Sequence, residues 1–296
     1  MLSGISIVCF AASYTIALLL EVIGLRKRST WVRLAVTGAS AAGLLAHTLY
    51  LVSVAADASA TPMSAVEWML MAAWALAVVY FAGLFYLPRT PTGVVLLPII
   101  LALIGGSVFA DPQPLAPERS YYLGLFHAIV LLLGTVAVCL GFLAGLMYVV
   151  QSYALKHSRS PANGLRLPNL EWLERINSRA LGLSAVLIAL GFASGLLLSL
   201  ASHRRDAAYT LWNDPVVWSL AAMLFWLVAA EVFRLVYPAA RRGRKVAYLT
   251  LASFVFLVIA LTSLMLVDTV HGANSIENTD WSLQRPVDRG ESNLIQ

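Results

Sequence analysis

The stretch LFHAIVLLLGTVAVCLGFLAGLMYVVQSYALK, residues 125–156, holds one charged side chain, Lys156, at its very end. A bilayer core of about 30 Å is crossed by about 20 mostly apolar residues in helical form. The run is longer than that. It predicts a transmembrane helix over residues 122–152 whose end, LMYVVQSYALK, passes the headgroups of one face. Cys139 sits inside it as a small core residue.

Seven more runs of the same kind lie on either side, at residues 4–24, 34–55, 66–87, 92–110, 179–201, 215–237 and 246–270. The whole chain is 60% hydrophobic and 12% charged, against about 25% charged in ordinary soluble chains. The fold class is therefore an all-α integral membrane protein, a bundle of about eight transmembrane helices. Residues 1–271 make a single polytopic membrane domain, and residues 272–296 a polar tail without clear pattern. The first run, GISIVCFAASYTIALLL, lacks a basic flank before it and leads into RKRSTWVR, so it is expected to be a retained span rather than a cleaved signal. Cys9 and Cys139 both lie in apolar runs and form no C-x-x-C, which leaves no disulfide or thiol-exchange chemistry to read.

The formal charge of +5 does not point to nucleic acid, because the basic residues fall in short clusters between apolar runs. Such clusters set topology. Arg26, Lys27, Arg28 and Arg33 follow the first run and Arg89 the third. Lys156, Arg159, Arg166, Arg175 and Arg179 follow the fifth, and Arg241, Arg242, Arg244 and Lys245 the seventh. Both termini are thus expected outside, in a multi-pass protein of the cell's inner (plasma) membrane. The segment LPNLEWLERINSR, residues 167–179, reads as a short interfacial helix or as the entry to span six.

With that topology four of the five histidines fall toward the outer face. His127 is near the outer start of span five, His271 at the outer end of span eight, His203 at the end of span six, and His47 in the outer half of span two. Only His157 is cytoplasmic. Neutral imidazole is a good axial ligand for haem iron, and His127 and His271 on separate helix ends could clamp one macrocycle. At the same face LWNDPVVW, residues 211–218, offers Trp212 and Trp218 for stacking. Asp214 reads as a loop or N-cap group ahead of Pro215. Plainer roles stand beside these: tryptophans anchor helices at any membrane interface, and histidines at helix ends are commonly hydrogen-bonded. His47 within an apolar helix must face the bundle or a cavity, as a structural or a functional group. Glu21 is expected to snorkel. Glu231 can reach Arg234 three residues on, a structural pair unless a cavity reaches it.

Several segments carry a resemblance. LFHAIVLLLGTVAVCLGFLAGLMYVVQSYALK resembles the histidine-bearing helix of the CcsA-like cytochrome c assembly proteins, and LPNLEWLERINSRALGLSAVLIALGFASG is similar to their next loop and helix. AHTLYLV ahead of SAVEWMLMAAWAL is similar to their N-terminal histidine helix and its successor. LWNDPVVWSL stands where their tryptophan-rich segment does, and LMLVDTVHG resembles their last helix. The likeness spans about residues 35–271 and rests on the order of elements. It implies a haem-handling protein: haem b held non-covalently by His127 and His271 beside the tryptophan segment, a CcsB-type membrane partner, and apocytochrome c as the acceptor.

The chain departs from that family in places. The family run is commonly Trp-Asp-Pro-Lys-Glu, whereas Asn213 precedes Asp214 here and Val216 and Val217 follow Pro215. A histidine expected on the following helix is missing, with Glu231 near its place. These departures resemble the compact HemX-like or YpjD-like members, for which the implied role is regulatory or scaffolding in haem synthesis. There is no H-E-x-x-H, Walker loop or nucleophile elbow, so no independent catalytic site is read. Glycines within the helices read as packing positions.

Overall fold

Lipid offers no partner to a free peptide group, so an apolar run there closes its own hydrogen bonds as a helix. The computed structural model describes residues 6–26, 29–57, 64–87, 90–110, 121–156, 168–202, 215–237 and 244–266. They form eight helices, one for each apolar run: α1 Ile7–Arg26, α2 Thr30–Asp57, α3 Ala65–Tyr86, α4 Gly93–Ser107, α5 Tyr121–Lys156, α6 Leu170–Ser202, α7 Pro215–Val236 and α8 Arg244–Leu266. No strand occurs among the described residues.

Seven of these are long and apolar enough to cross a membrane. The exception is α4, with 15 residues, about 22 Å at 1.5 Å per residue. Its run was expected to span residues 92–110. The helix instead ends in a turn, where the Val108 amide donates to the Gly105 carbonyl at 3.3 Å and the Phe109 amide to Gly106 at 2.9 Å. Two consecutive glycines weaken the helix there. Leu96, Leu97 and Ile100 of α4 are fully buried.

In the segment expected as an interfacial helix or the entry to span six, residues 170–179 are the first turns of α6 and not a separate helix. The Asn169 side chain accepts from the Trp172 amide at 2.8 Å, an N-cap that starts α6 on the polar side of the apolar run. At the start of α3 the Ser64 amide donates to Glu67 Oε2 at 2.7 Å, half of a capping box.

The helices pack as two groups of four. In the first, α1 lies against α2 and α4, and α3 against α2 and α4; in the second, α5 lies against α6 and α8, and α7 against the same two. The groups meet chiefly between α3 and α5. Helix association in lipid depends on close approach and internal polar contacts, and both are present. A Cβ on Gly145 would stand 3.3 Å from the Ala247 carbonyl oxygen, so α5 meets the backbone of α8. Beside it Asn177 of α6 is 1% exposed. With its amide oriented to satisfy both ends, its nitrogen donates to the Gly141 carbonyl at 3.0 Å and to Thr250 at 2.8 Å. One side chain thereby ties α5, α6 and α8.

Candidate functional site

The seam of α5 and α6 builds the best-defined polar site near the expected outer face. His127, Leu131 and Gly134 recur along one side of α5, and each meets a residue on the antiparallel α6. A Cβ on Gly134 would approach Ile188 at 2.7 Å, one on Gly191 would approach Leu131 at 2.3 Å, and one on Gly195 would approach His127 Cε1 at 2.7 Å. The imidazole thus lies in a notch that only glycine leaves open at position 195.

The notch also orients the ring. His127 Nδ1 stands 2.8 Å from the Gly191 carbonyl, an acceptor, so the proton sits on Nδ1 and the bond is donated by the ring. Ser194 Oγ lies 3.3 Å from the same nitrogen and gives its own proton to the Gly191 carbonyl at 2.8 Å. The contact makes Nδ1 a protonated nitrogen and fixes the orientation of the ring. Protein metal ligands are commonly oriented in this way, through the second ring nitrogen. The signal was present in the GFASG segment, as two glycines four apart with a serine before the second. It was read only as packing, because its partner lies on another helix.

His47 is elsewhere. It is fully buried in the first helix group. Its ring stacks on Phe10 with centroids 4.2 Å apart and planes 2° from parallel. Tyr14 stands edge-on, its hydroxyl 3.5 Å from His47 Nδ1. Nε2 has no hydrogen-bond partner among the described residues. The structure therefore does not bring His47 and His127 together.

His271, Trp212 and Asp214 lie outside the described residues, as do His203 and His157. Trp218, one turn into α7, is 54% exposed. Pro215 is the first helical residue of α7, the position where its missing amide costs nothing. Among the described residues no three His, Cys, Asp or Glu side chains gather as a metal site. A haem iron held by two imidazoles does not need such a cluster.

Glu21 does not snorkel. It turns into the bundle and accepts from the Tyr80 hydroxyl at 3.1 Å, where Gly93 leaves room for both side chains. Glu231 pairs with Arg234 as expected, and Arg234 Nη1 also donates to the Ser178 carbonyl at 3.1 Å, which joins α7 to α6. A cavity of about 640 Å³, lined in part by Arg234, opens beside the pair. A second, apolar cavity between α3, α4, α5 and α6 measures about 190 Å³, below the roughly 300–1,000 Å³ usual for small-molecule sites.

Residues 35–271 match the family model described as Cytochrome C assembly protein. No curated protein and no solved structure matches the chain.

Proposed function

Because the chain belongs to the cytochrome c assembly protein family, a family of cytochrome c biogenesis, we propose that it holds haem b non-covalently at the outer membrane face. His127 and His271 are the two axial ligands. Support comes from one observation above all: His127 Nδ1 donates to the Gly191 carbonyl at 2.8 Å, which orients the ring through its second nitrogen as metal-ligating imidazoles commonly are.

Within this proposal each group has a separate task. Gly191 and Ser194 hold the orientation of His127, and Gly195 gives the ring its depth. Haem, when bound, would be held through its iron by His127 and His271 and would supply the vinyl groups for thioether formation. Trp212 and Trp218 would stack on it. A CcsB-type membrane partner would complete the assembly, and apocytochrome c would bring the thiols. The protein itself then supplies no nucleophile. The membrane is the inner (plasma) membrane, with both termini outside.

The test is haem content of the detergent-purified protein by the pyridine haemochrome assay, in wild type, His127→Ala and His271→Ala. Haem in wild type and its loss from both variants supports the proposal. Equal haem content in all three refutes the ligand assignment. The alternative, a HemX-like regulatory or scaffold protein, draws on the length of α5 and α6, which carries both helices past the apolar core on the side of the basic loops. It predicts a deletion strain with normal cytochrome c and altered haem precursors.

A further inference from the structure

The larger cavity has no part in haem ligation. From Gly182 to Ala201, α6 has no charged residue, a length of about 30 Å that matches the bilayer core. The cavity of about 640 Å³ is lined by Glu171, Glu174, Arg175, Ser178, Arg179 and Arg234, so it lies where that core ends. This is headgroup depth on the side of the basic loops.

The charges there are unevenly used. Arg175 pairs with Glu171 at 2.9 Å, and Arg234 is held by Glu231 and Ser178. Arg179 and Glu174, one cation and one anion on the same wall, form no ion pair among the described residues. A wall with one available charge of each sign matches a zwitterion better than a simple anion. A guanidinium presents a planar fork of donors suited to a phosphoryl group, and a carboxylate accepts only, which suits an ammonium.

The surface above the cavity matches the other half of an amphiphile. On α6 the exposed stripe that begins with Arg175 and Arg179 continues as Leu183, Val186 and Leu190. These three are 55%, 58% and 47% exposed and follow one another at helical spacing toward the bilayer centre. Charged at its foot and apolar above, the stripe is the complement of a lipid standing upright.

We propose that the inner ends of α6 and α7 form a binding site for a phosphoethanolamine headgroup, with Arg179 on the phosphate, Glu174 on the ammonium, and the acyl chains along Leu183, Val186 and Leu190. The shared chemistry is the phosphoethanolamine zwitterion, and the apolar stripe assigns it to a membrane lipid.

The test is native mass spectrometry of the delipidated full-length protein with an equimolar mixture of phosphatidylethanolamine, phosphatidylcholine and phosphatidylglycerol of identical chains. A preferred single phosphatidylethanolamine adduct is expected. Arg179→Gln should reduce it about tenfold, as expected for a charge-assisted hydrogen bond. Glu174→Gln should shift the preference to phosphatidylglycerol, because the arginines remain. Both side chains lie at the cavity wall rather than in the core, and unchanged helix content by circular dichroism verifies that each variant is folded. Equal retention of all three lipids by wild type, or variants identical to it, would overturn the proposal.

Discussion

At the residue scale, His127 and His47 differ in what surrounds them rather than in the side chain itself. His127 and His47 are both imidazoles on apolar helices, yet one is oriented by a carbonyl in a glycine notch and the other is enclosed by Phe10 and Tyr14. Gly195→Ala should displace the His127 ring, because the new methyl would stand 2.7 Å from Cε1. Loss of a ligand's orienting contact costs about 10- to 100-fold in metal affinity, so haem retention by this variant is expected to fall in that range, measured by haem titration. Phe10→Ala removes a fully buried ring and should lower stability by about 3 kcal/mol, read from thermal unfolding, because His47 loses its stacking partner. His127 was legible as a candidate from its place at a helix end. Its notch was not, since Gly191, Ser194 and Gly195 come 64–68 residues later in the chain and only packing puts them beside it.

At the scale of the element, length and capping separate from hydropathy. The apolar runs located all eight helices, but α6 begins more than two turns before the run at 179–201, at the Asn169 cap. Charged residues in those turns are compatible with helix and only mark the end of the hydrocarbon. The opposite holds for α4, whose apolar run outlasts the helix because Gly105 and Gly106 let the chain turn. Asn177 went unnoticed among charged neighbours, and its burial could not be read from one helix alone. Asn177→Leu should destabilise the second helix group by about 1 kcal/mol, near the upper part of the range for hydrogen bonds within membranes. Unfolding in mixed micelles would show it. Replacing Gly145 with valine should prove worse, because its new side chain meets the Ala247 main chain, which cannot rotate away.

For the whole molecule, two groups of four helices meet between α3 and α5, with the His127 notch in the second group at one end and the charged cavity at the other. The placement of these sites on opposite membrane faces depends on the distribution of basic loops, which predicts that Ser275→Cys in a cysteine-free background reacts with an impermeant maleimide in intact cells. Ser158→Cys should react only after permeabilisation. The fold class was legible because the bilayer imposes helix on any long apolar run. The family was legible in the order of elements over residues 35–271, which the family model matches; His271, Trp212 and Asp214 fall outside the described residues. The most direct test of haem ligation is the absorption spectrum of purified His127→Gly with haem supplied, before and after addition of imidazole. A weakened Soret band restored by imidazole, with sharp reduced α and β bands, is the predicted result. A wild-type spectrum without imidazole would contradict ligation by His127.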